Sequence, residues 1–521
     1  MPSLPAPSQR GHALAAYLPY SRAPAATGGS PGTQDVPPSY KRYARAPRTV
    51  LPWHAPDPGT PQGRLSLLLR ETHGLVRERW LHPLTLATRP LGTPPVATVG
   101  RPAPSGGARY PTEVYVSPPG SEQQAQGLYH YDPVHHALEQ VRGGDHRAAL
   151  TAALGEPPAA PATTVLVITT VFWRTGVKYG EFGYRLQTQE AGVLAAQALA
   201  AGSAVGARGA LHLSFDDLRV NALLGLPDGG EEAALAVVTF THDEDAPPAP
   251  RQTGEAPGVP VVERPSQPVL AHRLPVGTAL HWATMRAPTG AGRAPRPSVT
   301  PPSPSSGTDV RLPPVAAEPD RQVHRLPSPL RGFLPHPAPL AALATVLAAA
   351  SAPCPGDLDG LLGSEEVRLH CLASRVEGVA PGLYAYGGAE HVLRPTGGQR
   401  ALEELCWSVT AGATRLAWAE SAFTLFATGD PQQVHKVAEL GDRWYRVLQA
   451  RTGAALHRAA LAAAGWGLAA RIFSDTSTDA VAAFLGCADG SQVLAALPVG
   501  RTRPGPAVDR RAVTGPGPTR S

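Results

Sequence analysis

TTVLVITTVFWRTGVKYGEFGYR, at residues 163–185, carries the strongest structural signal in this chain of 521 residues. Its first ten residues, 163–172, are rich in β-branched side chains, which pack well on a pleated sheet, and they predict a central strand. Glycines then punctuate the segment from Arg174, and a helix rich in Ala, Leu and Gln is predicted over residues 190–201. Functional groups of α/β proteins commonly follow a strand in this way, so the segment between strand and helix is a candidate site.

The order of these elements recurs in the second half of the chain. Three matching pairs are GLYHY at 127–131 with GLYAY at 382–386, YR at 184–185 with YR at 445–446, and LLG at 223–225 with FLG at 484–486. Their offsets are 255, 261 and 261 residues. Such a period is far longer than the roughly 20 to 50 residues of a solenoid repeat, so the sequence predicts two tandem copies of one domain.

Three stretches of the chain combine proline with glycine and other small residues, in a sequence that holds 54 Gly and 59 Pro. Neither residue type supports a regular helix or a sheet ladder, so these stretches predict disorder. The predicted units are a disordered head (1–36), a first domain (37–242), a Pro-rich linker (243–323), a second domain (324–500) and a disordered tail (501–521). Within the linker, residues 272–282 carry apolar side chains and are predicted to dock onto a domain.

Composition argues against several classes of protein. The formal net charge of +5 comes from scattered arginines, so no nucleic-acid partner is predicted. No apolar run reaches the roughly 18 residues of a membrane span, and residues 1–38 lack the pattern of a signal peptide. We therefore expect a cytoplasmic protein without membrane contact.

No metal site is predicted. The four cysteines all lie in the second half and form no CxxC pair, which also argues against a disulfide framework. His130, His135 and His136 cluster near a strand, but the sequence indicates no further ligand, so they are predicted to be exposed hairpin histidines.

A glycine-rich loop, RPAPSGGARYP at residues 101–111, is the first candidate binding element. Ser105, Gly106 and Gly107 let backbone N–H groups approach a ligand without a Cβ in the way. Arg101 adds positive charge beside them. Such a loop suits a phosphate group or the edge of a flat ring, although a bare Ser-Gly-Gly is also common in tight surface turns.

Lys178 and Tyr179 form the second candidate element. A partly desolvated lysine can accept a proton, and a phenol beside it can donate or relay one. Taken alone, a lysine that extends to solvent beside a buried tyrosine is the commoner arrangement. Further along, residues 201–209 lack the downstream acid of a dinucleotide-binding fold, yet Gly206 still allows close approach to a flat cofactor.

A family resemblance unites these motifs. RP-x-PSGGARYPTEVYV, GLYHYDP, RT-x-x-KYGE-x-x-YR and DDLRVNALLGL occur in this order between residues 37 and 240. This region resembles the nitroreductase-like azoline dehydrogenases, the FMN partners of the cyclodehydratases that build thiazole- and oxazole-containing peptides. The resemblance implies an α+β fold of two nitroreductase-like domains, a pseudo-dimer in which helices flank a mixed central sheet.

The resemblance also implies roles for particular residues. Those implied to contact FMN are Arg101, Ser105, Gly106, Gly107 and Gly206. Lys178 and Tyr179 match the family's catalytic pair, and Arg185 is implied to support the flavin or the helix start. The implied partners are a precursor peptide that carries azolines and a cyclodehydratase complex.

The second half departs from the motifs that the first half carries. Glu439 and Leu440 stand where the offset of 261 places Lys178 and Tyr179, and no Ser-Gly-Gly loop precedes residues 366–369. We therefore expect the second half to bind no flavin and to act as a built-in partner. Either the loops of the first half alone complete one site, or two chains pair as a homodimer.

Two alternative functions stay open at this point. The first is another FMN oxidoreductase on the same fold, which would act on a nitro compound, a quinone or a peptide Cα–Cβ bond. The second is a non-catalytic scaffold of a peptide-modifying complex, with the Pro-rich linker as its tether.

Overall fold

The computed structural model describes residues 11–21, 37–81, 94–243, 273–285, 309–315, 322–358, 366–406, 417–432, 440–504 and 507–511, except for residues 44, 55, 95, 122–123, 157, 159, 227–229, 330–331, 475–477 and 488–489. The helices are α1 (His12–Tyr17), α2 (Pro61–His73), α3 (Arg147–Thr151), α4 (Phe172–Tyr179), α5 (Gly183–Ala204), α6 (Asp217–Leu223), α7 (Pro275–Thr284), α8 (Leu340–Ser351), α9 (Gln399–Glu404), α10 (Arg443–Gly465) and α11 (Thr478–Phe484). The strands are β1 (Arg48–Val50), β2 (Arg77–Leu81), β3 (Val96–Gly100), β4 (Thr112–Ser117), β5 (Gly127–Asp132), β6 (Ala137–Gly143), β7 (Thr164–Val171), β8 (Arg208–His212), β9 (Glu232–Thr241), β10 (Val310–Arg311), β11 (Phe333–Leu334), β12 (Arg368–Ala373), β13 (Gly382–Gly387), β14 (Val392–Gly397), β15 (Phe423–Gly429), β16 (Ala469–Ala470), β17 (Gln492–Thr502) and β18 (Ala507–Arg511).

Two sheets of matching topology form the two halves. The first has the strand order β1-β6-β5-β4-β7-β9-β8, and the second has the order β10-β14-β13-β12-β15-β17-β11, with β16 also paired to β17. Strands β4 to β9 thus correspond one for one to strands β12 to β17. The predicted tandem of α+β domains is confirmed, and the predicted central strand is β7, between β4 and β9.

The sheets differ from the sequence prediction in one respect. Every ladder between the described strands is antiparallel, whereas a mixed sheet is predicted. The helical crossover through α5 does bring β8 parallel to β7, but β9 lies between them and pairs antiparallel with both. The short connection between β5 and β6 can join only antiparallel neighbours.

Helices α5 and α10 pack against each other between the two sheets. Most side chains of both helices are buried, because each helix contacts its own sheet on one side and the other helix on the other. Tyr184 and Tyr445, which are equivalent under the repeat, stack with ring centroids 6.5 Å apart and an interplanar angle of 14°. The pair of helices therefore forms the centre of the internal pseudo-dimer.

Local sequence explains where the shorter helices begin. Pro61 stands in the first turn of α2, and the hydroxyl of Thr60 accepts the Gly63 N–H at 3.0 Å. At α6 the sequence suggests a capping box from Ser214. The N-cap is instead Asp216, whose carboxylate accepts the Arg219 N–H at 3.0 Å.

Two buried arginines join the halves reciprocally. The guanidinium of Arg185 donates to the carbonyl oxygens of Val493 and Leu494 in β17. That of Arg446, its counterpart at the offset of 261, donates to the carbonyl oxygens of Ala234 and Leu235 in β9. Each arginine thus binds, in the opposite half, the strand that lies beside the central strand.

The prediction of a disordered head is wrong for residues 11–21. They form α1 and a short 3₁₀ helix, Leu18–Ser21, because Leu14 and Tyr17 find apolar partners. Tyr17 is fully buried and meets the rings of Tyr184 and Tyr445 edge-on, with centroids 5.8 and 5.5 Å away. Residues 1–10 and 22–36 lie outside the described residues.

The linker and the tail also contain ordered elements. Within the linker, α7 docks onto the first half, and both carboxylate oxygens of Glu181, in the 3₁₀ turn after α4, accept N–H groups at the start of α7, from Val276 at 3.0 Å and from Gly277 at 2.6 Å. The prediction of a disordered tail is wrong at 501–502, where β17 continues, and at 507–511, where β18 pairs with β2 of the first half. Edge pairing of this kind satisfies the backbone groups of β2. Residues 244–272, 286–308, 316–321 and 512–521 lie outside the described residues.

Two further observations concern membrane-spanning helices and disulfide bonds. None of the described helices combines the length and apolar character needed to cross a membrane. No disulfide joins the four cysteines, all of which lie in described segments.

Candidate active site

A cleft with a cavity volume of about 200 Å³ opens between the two halves. It is lined on one side by the glycine-rich loop and the first turns of α5, and on the other by α10 and the segment after β16. The lining residues are Pro104, Ser105, Gly106, Gly107, Tyr179, Phe182, Leu186, Gln189, Glu190, Val193, Ser328, Thr452, Gly453, Leu456, Arg471, Ile472, Phe473, Ser474 and Ala495. The mixture of apolar walls with a few polar groups is typical of a cofactor site.

The loop is held in a fixed turn at the mouth of the cleft. Residues 106–108 form one turn of 3₁₀ helix, in which Gly107 has φ of 60°. That backbone conformation favours glycine. The hydroxyl oxygen of Ser105 accepts the Tyr110 N–H at 2.8 Å, which closes the loop behind the turn.

Lys178 and Tyr179 lie directly against this loop. They end α4, and a Cβ placed on Gly107 would lie 2.6 Å from Tyr179 Oη and 2.7 Å from Lys178 Nζ. Lys178 Nζ is 5.0 Å from the centroid of the Tyr179 ring. The lysine is exposed and the tyrosine half-buried. The structure thus brings together the two elements that the sequence singles out separately.

Glu190 is a cleft residue that the sequence reasoning missed. Its Oε1 accepts the Gly106 N–H at 2.7 Å, and its carboxylate also receives a hydrogen bond from the Ser105 side chain. Burial raises the pKa of Glu190 to about 7, although these hydrogen bonds act in the opposite direction. The available signal was that Glu190 is the only acid in the 22 residues of α5.

The second half supplies the opposite wall of the cleft. Arg471 lies over the ring of Phe473, 4.6 Å from its centroid, and the Ser474 hydroxyl donates to Gln189 Oε1 at 2.6 Å. Residues of both halves therefore line the cleft, which fits a second half that acts as a built-in partner. The homodimer stays a prediction.

On the other side of the pseudo-dimer, the described segment equivalent to the cleft wall is covered by the chain itself. Residues 210–213 correspond to the wall residues 471–474, and residues 355–357 cover them. The Leu211 N–H donates to the carbonyl oxygen of Pro355 at 2.7 Å, and the carboxylate of Asp357 accepts the N–H groups of Leu213 and Ser214. That the second half binds no flavin stays a prediction. Glu439 lies outside the described residues, and Leu440 is buried.

Arg101 lies behind the loop rather than on the surface of the cleft. It is 2% exposed and packs between the rings of Tyr40 and Tyr110. Among the described residues, its Nε and Nη2 meet no hydrogen-bond acceptor. The open backbone of Gly106 and Gly107 at the cleft surface, with the positive charge of Arg101 behind it, fits an anionic or flat aromatic ligand such as FMN.

Two predicted cofactor contacts are not brought to the cleft. The guanidinium of Arg185 is committed to backbone carbonyls of the head and of β17. Gly206 ends α5 with φ of 81°, about 20 Å along the helix axis from Val193, the last residue of α5 at the cleft. Its counterpart Gly467 ends α10 with φ of 67°, so both glycines are explained by helix termination.

The histidine prediction is also wrong for two of the three residues. His130 is fully buried, and its ring nitrogens hydrogen-bond to the carboxylates of Glu113 and Glu139 at 3.1 and 3.0 Å. His136 is buried between Ser66 and Tyr131. Among the described residues, no group of three His, Cys, Asp or Glu side chains is arranged to hold a metal ion.

The fold and the cleft define the class of protein. The nitroreductase family model matches residues 55–241 and 330–501, which is most of both halves. The chain therefore belongs to the nitroreductase family of oxidoreductases.

Individual relatives narrow the comparison. The chain is 29% identical over 174 residues to the microcin B17-processing protein McbC of Escherichia coli, which covers 30% of this chain and 60% of McbC. It is 36% identical over 94 residues to a protein of Methanocaldococcus jannaschii named as a nitroreductase, which covers 18% of this chain and 47% of that protein. The matches thus span about half to three fifths of each relative.

One solved structure matches the whole architecture. A protein of Anabaena variabilis named as a nitroreductase superposes with a TM-score of 0.71 at 21% sequence identity, over 94% of this chain and 99% of its own. At that identity the similarity shows the fold alone, including the tandem of two halves in one chain.

Proposed function

We propose that the protein is an FMN-dependent dehydrogenase that oxidises azolines to azoles in a ribosomally made peptide. The observation that carries this proposal is the contact between the Ser105-Gly106-Gly107 loop and the Lys178-Tyr179 pair at the mouth of one cleft. In the resembled azoline dehydrogenases, the matching loop and pair serve flavin binding and catalysis.

The loop and the residues behind it would hold the cofactor. Gly106 and Gly107 present backbone without side chains, Ser105 adds a hydroxyl, and Arg101 adds positive charge behind them. When bound, FMN supplies the chemistry of a two-electron acceptor. The apolar wall around Leu456 and Phe473 would exclude water from the reacting ring.

The pair beside the loop would handle the proton. Aromatisation of an azoline removes one hydrogen from Cα and one from the neighbouring ring carbon. We assign the Cα proton to Nζ of Lys178, with Oη of Tyr179 as its hydrogen-bond partner, or the same two groups with their roles exchanged. They are consecutive residues at the end of α4, and both lie against Gly107, which lines the cleft; this supports the assignment.

Similarity to McbC supports a peptide as substrate, because that relative processes microcin B17. It also supports two partners for this chain, a precursor peptide that carries azolines and a cyclodehydratase that makes them. A cytoplasmic location fits such a pathway.

The double variant Lys178→Ala, Tyr179→Phe tests the proposal directly. Wild type and variant would be loaded with FMN, checked by visible absorption, and given an azoline peptide whose oxidation is followed by mass spectrometry. We expect the variant to retain flavin and to lose at least about a hundredfold in rate, the usual worth of a general base. Tyr20→Phe, at an exposed tyrosine that is not among the cleft-lining residues, is the matched control. A flavin-loaded double variant that works at the wild-type rate overturns the proposal.

The same preparation separates the alternatives. Turnover of nitro compounds or quinones with NAD(P)H, without azoline oxidation, would favour another oxidoreductase of this family. A colourless chain that takes up no added FMN would favour a scaffold.

A further inference from the structure

Glu190 is a buried acid of the cleft that the proposed proton transfer does not use. Its residue exposure is 8%, and it projects from α5 against the glycine-rich loop. Its Oε1 accepts the Gly106 N–H at 2.7 Å, and the Ser105 hydroxyl also bonds to the carboxylate. A Cβ on Gly106 would lie only 3.2 Å from the same oxygen. One carboxylate therefore fixes two successive residues of the loop.

The remainder of the loop depends on those two residues. Ser105 accepts the Tyr110 N–H and closes the turn, and Gly107 follows directly after the fixed amide. Gly107 is the residue that touches Lys178 and Tyr179. The position of Glu190 thus determines where the loop stands relative to the catalytic pair.

We propose that Glu190 is a positioning residue, whose carboxylate holds Ser105 and Gly106 in the conformation that binds the flavin. This inference rests on the proposed FMN-dependent function. Hydrogen bonds to an ionised carboxylate are roughly twice as strong as those between neutral groups, so the ionised form is the better anchor.

The surroundings of Glu190 make this anchor sensitive to pH. The charged or titratable groups that face it are Arg101 on the segment before the loop, Lys178 and Tyr179 across Gly107, and Arg471 on the opposite wall, whereas α10 presents Thr452 and Gly453. Because burial raises the pKa of Glu190 to about 7, the carboxylate loses its charge as the pH falls through neutrality. Flavin affinity should therefore weaken as the pH falls below about 7.

Quenching of flavin fluorescence by the full chain measures this affinity. Titrations would cover about two pH units on either side of the pKa of about 7, with FMN and with riboflavin in parallel. Riboflavin has no phosphate, so it removes the titration of that group, whose second pKa is about 6. Circular dichroism would confirm that each variant is folded.

Three variants complete the test. Glu190→Ala has no acceptor and should weaken both flavins roughly tenfold to a hundredfold at the alkaline end. Glu190→Gln keeps an acceptor and should bind within a few-fold of wild type, with no pH dependence for riboflavin. Asp357→Asn is the matched control, because burial also raises the pKa of Asp357 to about 7, yet this acid lies on the covered wall away from the cleft.

The outcomes distinguish the inference from the proposal beneath it. A wild type that binds flavin with no pH dependence, or a folded Glu190→Ala that binds as tightly as wild type, overturns the role of Glu190 and leaves the FMN proposal standing. A wild type that binds neither flavin at any pH overturns the proposed function and this inference with it.

Discussion

Gly192 and Gly453 occupy equivalent positions in the two halves, and each presses its Cα against the backbone of the other's helix. A Cβ on Gly192 would overlap the carbonyl oxygen of Ala450, and one on Gly453 would overlap that of Gln189. Gln189 and Ala450 are themselves equivalent at the offset of 261 residues. The crossing of α5 and α10 is therefore symmetric down to single residues, and Gly453 also lines the cleft.

Alanine at either glycine should destabilise the protein. Because the clash is with backbone, the helices must separate, and overpacking of this kind costs about 1–3 kcal/mol or more. Gly465→Ala is the matched control, since it lies in α10 with nothing within 4 Å of its added Cβ. Urea unfolding followed by circular dichroism would measure all three. Equal midpoints for Gly192→Ala and Gly465→Ala would show that the crossing is not as close as described.

Arg185→Met should also lower the free energy of unfolding. It removes the donors to buried carbonyl oxygens of Ser21, Val493 and Leu494, and losses of this kind cost about 1–3 kcal/mol each, though they do not add fully. Arg185→Lys should recover little, because an ammonium cannot reproduce the planar fork of the guanidinium. Chemical denaturation of both variants measures the effect; a lysine variant as stable as wild type would contradict the geometry.

Gly107→Ala should damage the site rather than the fold. The new methyl group would displace Tyr179 Oη or Lys178 Nζ, so we expect azoline oxidation to fall at least about tenfold. Gly144→Ala is the matched control, because Gly144 also has a positive φ, of 85°, but nothing lies within 4 Å of its added Cβ. Both variants carry a left-handed penalty of about 1 kcal/mol. If both lose activity alike, strain rather than the contact is responsible.

Acid should destabilise the protein partly through His136. Burial, assisted by the charge of Arg70, lowers its pKa from 6.5 to about 4. Between about pH 6.5 and 4, His136 binds a proton in the unfolded chain but not in the folded protein. The free energy of unfolding therefore decreases as the pH falls from about 6.5 to 4. The full effect is about 3 kcal/mol. His136→Asn, which suits the φ of 48°, should make the pH dependence of urea midpoints shallower by that amount. Parallel curves for the two proteins would refute the assignment.

The sequence predicted the parts of the fold that local pattern encodes. The β-branched run at 164–171 is the central strand. The repeat of the GLYHY and YR motifs indicates two domains, and their sheets do have matching topology. The prediction of a mixed sheet was wrong, because β9 inserts antiparallel between β7 and β8. That pairing depends on contacts far apart in the sequence, which a local pattern does not encode. The head helix was missed for a similar reason, since Tyr17 is ordered by Tyr184 and Tyr445 rather than by its neighbours.

The candidate site was predicted in part, and the repeat explains which part. Arg185 and Gly206 recur in the second half as Arg446 and Gly467, and the structure gives both pairs architectural roles. The Ser105-Gly106-Gly107 loop, Lys178 and Glu190 have no such counterpart, and all of them meet at the cleft. The residues kept in both copies therefore serve the architecture, whereas the residues of the proposed chemistry occur in one copy only.

Fusion of the two halves has a consequence for behaviour on dilution. A nitroreductase-like dimer of separate subunits obeys mass action. At low subunit concentration it would dissociate, and each cleft would lose the wall that the partner supplies. Here α5 and α10 belong to one polypeptide, and strand β18 of the tail ties back to β2 of the first half. The local concentration of one wall around the other is thus set by chain length alone. The activity per molecule should therefore stay constant as the protein concentration falls, even to a few copies per cell.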